Sequence, residues 1–211
     1  MNINTYPDTP EILPISVIVP LSERRKVFFE QYVMPMLLAN HPKEIIINDY
    51  FDTAPTKRNT GAASSTQPYL FFCDDDIILP KDYLKTLYNT LQKHPECGYV
   101  YTGYVGIVLT ADHNIKNNYR ERSMPFDAKT LKDHNYISTM ALIKKSVFVG
   151  FDKELKRFQD WDMWLTMLEK GVTGVYEPNI DFMAFYLDNG LTSKQNPLYD
   201  AYNIIKAKHK L

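Results

Sequence analysis

Three carboxylates in a row, Asp74-Asp75-Asp76, follow directly on Tyr69-Leu70-Phe71-Phe72-Cys73. The apolar run reads as a short strand buried on both faces, as in a parallel sheet. The carboxylates then stand at the C-terminal end of that strand, where open α/β sheets bind their ligands. Three adjacent negative charges repel one another, so a cation is expected among them. Asp oxygens are hard donors, which favours Mg2+ or Mn2+ over Zn2+. The competing reading is an acidic turn or helix cap that merely follows a strand. The five histidines are scattered without zinc-ligand spacing. His113 and His134 fall in a long polar segment, where a surface position is the default and a further metal ligand the alternative.

The elements that must position these groups alternate. Strands are expected at 15–20, 44–49, 69–73, 99–109, 136–143 and 172–176, the second of them buried like the third. Helices are expected at 23–40, with Pro35 bending it or starting a new one, and at 56–66, 81–93, 160–170 and 198–210. Residues 1–14 read as an extended leader. Residues 112–135 show no clear period, which is long for a structureless loop, so the segment is expected to be functional or partly helical. Arg120 and Arg122 within it are candidates for a mobile flap over a ligand. The glycines at 98, 103 and 106 match neither a dinucleotide fingerprint nor a phosphate loop. Strand–helix alternation predicts an α/β sandwich with a mostly parallel sheet. Four strand ends then converge on one sheet edge, bringing Pro20-Leu21-Ser22, Asn48-Asp49, the acidic triplet and the segment around Gln159-Asp160-Trp161-Asp162.

Composition narrows the class. The 211 residues suffice for one large α/β domain, and 45% hydrophobic with 23% charged residues describes a globular chain. A formal net charge of −1 argues against a general nucleic-acid or anionic-membrane binder. No apolar run approaches a membrane span, and the first residues lack the pattern of a signal peptide. The two cysteines, Cys73 and Cys97, form no CxxC pair and are expected as free thiols in a reducing, cytoplasmic compartment.

Taken in order, these pieces resemble the family-two glycosyltransferases of the GT-A fold: the Ser16-Val17-Ile18-Val19-Pro20 opening strand, Ile45-Ile46-Ile47-Asn48-Asp49, Lys57-Arg58-Asn59-Thr60-Gly61, the Asp-x-Asp motif, and Gln159-Asp160-Trp161-Asp162-Met163-Trp164-Leu165. The resemblance spans roughly residues 15–195. Within the family the chain looks most like the N-terminal domain of a chlorella-virus enzyme for capsid glycans. It implies a GT-A (Rossmann-like) sandwich whose central, mostly parallel sheet of about six strands is flanked by helices. It further implies a single domain with a nucleotide-sugar half at 15–110, an acceptor half at 111–195, and a helix at 196–211 leading into further domains.

The resemblance also assigns roles. Asp76 would ligate Mn2+ (or Mg2+) directly, and Asp74 directly or through water, so that the metal stabilises charge developing on a leaving diphosphate. Asp75 would accept from ribose hydroxyls. Asp49 would accept from the base N3–H, which uracil has and cytosine lacks, so the donor is expected to be a UDP-sugar of glucose or rhamnose type. Arg58 would pair with a phosphate or with the triplet, and backbone groups of Pro20, Leu21 and Ser22 would border the base or ribose. Asp160 matches the catalytic base that takes the proton of an acceptor hydroxyl. The acceptor would be an oligosaccharide or glycoprotein, with Trp161 and Asp162 as weaker acceptor contacts. Against this, Trp161 and Trp164 can be core residues and Asp162 a helix cap or ion-pair partner. The chain departs from the family at Leu21-Ser22-Glu23, where stacking on the base is lost, and at Gln159, which stands where Glu is usual. Those departures leave a second reading, a nucleotide- or glycan-binding module without catalysis.

Overall fold

The computed structural model describes residues 11–187 and 198–211, apart from residues 111, 113 and 122. Strand β1, Leu13–Val19, is buried at every position except Pro14. A helical stretch follows in four pieces: a 3-10 turn at Glu23–Arg25, helix α1 at Lys26–Phe28, a π turn at Phe29–Val33 and helix α2 at Met34–Ala39. Pro35 explains the π turn. It has no N–H to return to the preceding turn, and its ring needs room there, so the chain widens before α2 starts.

Strand β2, Pro42–Ile47, lies at the edge of the larger sheet and none of its residues is fully buried. The expectation of a buried second strand is corrected here: its apolar run packs with one neighbouring strand only. Helix α3, Ala54–Ser64, lies so close on β1 that a Cβ on Gly61 would come within 2.4 Å of Ile18 Cγ2. Strand β3 is Tyr69–Phe72, followed by the two-residue β4, Ile77–Ile78, and by α4, Tyr83–Lys93, which buries Tyr83, Leu84, Leu87 and Leu91.

The single strand expected at 99–109 is two strands in two sheets, β5 (Tyr99–Tyr101) and β6 (Tyr104–Leu109). The break falls at Gly103, where a Cβ would stand 2.8 Å from the Glu121 carbonyl oxygen. Only glycine lets the backbone pass that close. Strand β7, Ile115–Glu121, is exposed along its whole length, which is why the polar segment showed no period. Helix α5, Ala128–Asp133, is capped by Asp127, whose side chain accepts from Thr130 N. Strand β8 is short, Leu142–Lys144. Then come α6 (Gln159–Glu169), β9 (Gly174–Tyr176), β10 (Phe182–Leu187) and α7 (Leu198–Lys208).

The larger sheet has six strands in the order β2-β1-β3-β8-β5-β9, parallel throughout except that β8 runs antiparallel to both neighbours. The smaller sheet runs β4-β10-β6-β7. Side-chain alternation along β3 divides the core: Phe71 and Cys73 join Leu84 and Leu87 on one face, while Leu70 and Phe72 join Trp164 and Tyr99 on the other. Both cysteines are buried free thiols. Among the described residues no helix is long and apolar enough to cross a membrane.

Trp164 is the centre of the second layer. Its ring stacks on Tyr99 at 4.5 Å and its Nε1 donates to the Ile137 carbonyl at 3.0 Å. Trp164→Ala removes both contacts and leaves a large cavity, so it is expected to cost about 3–5 kcal/mol in urea unfolding. A loss below about 1 kcal/mol would mean the layer does not depend on this residue.

Candidate active site

The loop after β1 and the triplet after β3 are neighbours because the two strands pair in parallel and end together, with Cys73 N donating to Ile18 O at 2.9 Å. Each carboxylate of the triplet then finds its own partner. Asp75 Oδ2 accepts from Ser22 N at 2.8 Å and from Ser22 Oγ at 2.7 Å. Asp76 Oδ2 accepts from the Arg25 guanidinium at 2.9 Å, and Asp74 Oδ1 from that of Arg58 at 2.5 Å. These contacts do not cancel the crowding. Burial and the charge of Asp74, opposed by Arg25, push the Asp76 carboxyl up to about 7. Burial and the same three carboxylates raise the Cys73 thiol as well.

Helix α3 supplies the supports. Lys57 Nζ donates to the Leu21 carbonyl at 2.7 Å, and Asn48 Nδ2 donates to the Lys57 carbonyl at 2.7 Å. Arg58 is fixed on several sides: it also donates to Gln159 Oε1 at 3.3 Å and its guanidinium lies over the Phe151 ring at 5.3 Å. Its buried Nε has no partner. Asp49 is exposed just past the end of β2, on the sheet edge where the triplet stands.

A cavity of about 420 Å3 opens beside the triplet, with Asp74, Asp76 and Asp160 in its wall. Asp160 sits in the first turn of α6, which the chain enters through Phe158 in a left-handed conformation (φ 56°). Its Oδ2 accepts from Asn135 Nδ2 at 3.0 Å and its Oδ1 from Trp161 N at 2.9 Å. Burial holds its carboxyl above the ordinary range, opposed by those two hydrogen bonds and by the charge of Arg58. A carboxylate so placed is a stronger base than one in water, which suits proton abstraction. Gln159 turns elsewhere, its Nε2 donating to the Leu155 carbonyl at 2.8 Å. The facing wall belongs to the smaller sheet and includes Tyr104, Glu121 and Tyr186.

Of the residues singled out in the sequence, Asp74, Asp76 and Asp160 thus share one cavity, with Ser22, Asp75 and Arg58 bound into its rim. Trp161 and Asp162 do not join them, and the acceptor contacts expected of them are corrected. Trp161 is fully buried and donates to the Leu131 carbonyl at 2.7 Å. Asp162, also buried, accepts from His209 Nε2 at 2.9 Å and Lys208 Nζ at 2.8 Å, pinning the end of α7 to α6. Trp164, Met163 and Met167 are core residues. His134 is exposed beside Asp133 and is not in the lining of the cavity beside the triplet. Arg120 lies on the edge strand β7 and pairs with Asp181 at 2.6 Å, so its part of the expected flap is a β-hairpin, while Arg122 and His113 lie outside the described residues. Arg25, Asn135, Glu121 and the cavity tyrosines went unread. Only Arg25 carried a signal, in the Glu23-Arg24-Arg25 run directly after the first strand.

Among the described residues no group of three or more His, Cys, Asp or Glu side chains is gathered to hold a metal. The donor set nonetheless fits a hard divalent cation that takes its remaining ligands from substrate and water. Asp74 and Asp76 both offer carboxylate oxygens, the hard donors such a cation takes, to the same cavity.

Residues 40–150 match the sequence model described as glycosyl transferase family 2. No curated protein matches the chain. Among solved structures it is similar to S. aureus TarS 1-349, with TM-score 0.56 and 12% identity over 92% of this chain and 64% of that one. The same protein in complex with UDP-GlcNAc gives TM-score 0.58 and 13% identity over 92% and 66%. GalNAc-T7 with UDP, GalNAc and Mn2+ gives TM-score 0.57 and 11% identity over 96% and 50%. The fold is therefore that of the GT-A enzymes, and the chain spans less than two thirds of the length of these structures.

The elevated Asp160 makes a thermodynamic prediction. A carboxyl whose pKa is higher in the folded than in the unfolded state penalises folding once it ionises, and the penalty vanishes below the unfolded pKa. Asp160→Asn, which can still accept from Asn135, is expected to melt at or above the wild-type temperature at pH 7 and to lose that advantage near pH 4. A variant markedly less stable at pH 7 would refute the burial of this charge.

Proposed function

The chain belongs to glycosyl transferase family 2, and from that premise we propose that it moves a hexose from a UDP-sugar to a hydroxyl of a glycan acceptor. The observation that carries the proposal is the single cavity that joins Asp74 and Asp76 on one wall to Asp160 in the same lining. Asp74 and Asp76 would hold Mn2+ or Mg2+, which when bound supplies Lewis-acid stabilisation of the diphosphate oxygens. Arg58 fixes Asp74, and Ser22 fixes Asp75, so neither carboxylate needs to reorganise when donor arrives. Asp49, on the same sheet edge, is offered as the acceptor for the uracil N3–H, and backbone groups of Pro20, Leu21 and Ser22 as the border of the nucleoside. Asp160 Oδ takes the proton of the acceptor hydroxyl as its oxygen bonds to the anomeric carbon and the bond from that carbon to the diphosphate oxygen breaks, UDP leaving with the bonding electron pair, while Asn135 holds the carboxylate in place.

Solved structures of similar fold carry UDP-GlcNAc, or UDP with GalNAc and Mn2+, in their descriptions, which supports a UDP-sugar and a divalent cation for this chain. The resemblance to a chlorella-virus enzyme supports a finer reading: a donor of UDP-glucose or UDP-rhamnose type and an oligosaccharide built for a capsid protein in the host cytoplasm. It also supports a nucleotide-sugar half at 15–110, an acceptor half at 111–195, and a terminal helix that leads into further domains. Gln159, in place of the usual Glu, favours the alternative of a binding module without turnover, and the test below separates the two.

Calorimetric titration of UDP, GDP and CMP, with and without Mn2+, is expected to show UDP binding only, and only with metal. Asp76→Asn abolishes that binding. Asp160→Asn keeps it but lowers transfer from the UDP-sugar by about 10²–10⁴. In the wild type, transfer falls as pH drops through the raised pKa of Asp160, because the base is then protonated. Absence of any nucleotide binding would refute the transferase reading. Full UDP binding without transfer from any UDP-sugar would leave the binding module.

A further inference from the structure

The two guanidiniums on the acidic triplet are held very differently. Arg58 is wedged between Asp74, Gln159 and the Phe151 ring, and only 9% of its side chain is exposed. Arg25 has twice that exposure, 18%, and its described polar contact is with Asp76 alone. Its backbone is nevertheless tied close. It ends the 3-10 turn that starts one residue after Ser22, its own N donates to the Ser22 carbonyl at 3.0 Å, and Ser22 is clamped to Asp75 by two hydrogen bonds. The guanidinium can therefore leave Asp76 without leaving the neighbourhood of the triplet.

Asp76 Oδ2, the oxygen that Arg25 occupies, belongs to one of the two carboxylates that the functional reading assigns to a divalent cation. Resting on the glycosyltransferase reading above, we propose that Arg25 is a positioning residue with two successive partners: it holds Asp76 while the site is empty, and it moves to the diphosphate of the UDP-sugar when a divalent cation takes Asp76. A divalent cation at Asp76 adds two positive charges to a site where Arg25 and Arg58 already supply one each. A released guanidinium beside a bound cation is repelled by it and drawn to the anion that the cation bridges. Its planar fork fits two phosphate oxygens at once, a geometry that an ammonium cannot reproduce. Arg58 cannot take this part, since its other contacts fix it in place.

The exchange gives Arg25→Gln effects of opposite sign on two ligands. Removing the internal competitor is expected to tighten binding of Mn2+ alone several-fold. Removing the phosphate partner is expected to weaken UDP binding in saturating Mn2+ about tenfold. Arg25→Lys restores the competition for Asp76 but recovers only part of the UDP affinity. Calorimetry of the full chain reads all three, with thermal melting to establish that each variant folds. A merely structural Arg25, one that orients Asp76 for metal, predicts weaker Mn2+ binding in Arg25→Gln, and that result overturns the proposal. So does UDP affinity equal to wild type in Arg25→Gln, or full UDP affinity in Arg25→Lys. If the wild type itself fails to bind UDP with Mn2+, the functional reading falls and this inference with it; wild-type binding with an indifferent Arg25→Gln removes the inference alone.

Discussion

Three negative charges stand side by side at the end of a strand whose other residues are buried, and nearly every polar contact around them answers that fact. Ser22 brings two donors, Arg25 and Arg58 bring a guanidinium each, and Lys57 holds the loop that carries Ser22 by binding the Leu21 carbonyl. Burial, with the charge of Asp74, still raises the Asp76 carboxyl against the pull of Arg25. A fold that optimised only its own stability would not concentrate charge in this way. On the proposed function, this concentration of carboxylates is what would receive a cation and, through it, a diphosphate.

The second carboxylate centre is built on the opposite principle. Asp160 has no basic group of its own; its fixed partners are the Asn135 amide and the backbone N–H of Trp161. These donors orient the carboxylate and lower its basicity somewhat, but burial outweighs them. The two centres share a cavity lining but differ in their hydrogen-bond partners, a difference that suits the proposed division between holding a cation and moving a proton.

The sequence made the strand ends legible because a short apolar run followed by carboxylates leaves little choice of structure, and β1, β3 and α6 fell close to where pattern put them. Other parts resisted for physical reasons. Trp161 and Asp162 follow Asp160 immediately, yet a helix turns about 100° per residue, so adjacency in sequence sends them to different faces. The split between β5 and β6 is invisible to periodicity, since both halves open with Tyr-Val and only Gly103 marks the change of sheet. Strand β7 has no buried face to imprint an alternation. The far wall of the cavity was lost with these, because Tyr104, Glu121 and Tyr186 lie on β6, β7 and β10. Asn135 was lost because a single amide in a polar stretch carries no pattern at all.

The helix that begins with Asp160 is anchored on one side by Trp161 and Trp164, and on the other by the clasp of Asp162 with Lys208 and His209. The triplet and its partners, from Ser22 to Asp76, are synthesised more than a hundred residues before that clasp. During biosynthesis the helix that carries Asp160, and with it the Gln159 contact of Arg58, is therefore fastened only after the triplet has been made. Until residues 208 and 209 emerge, Asp162 has neither of these partners nor α7 to cover it.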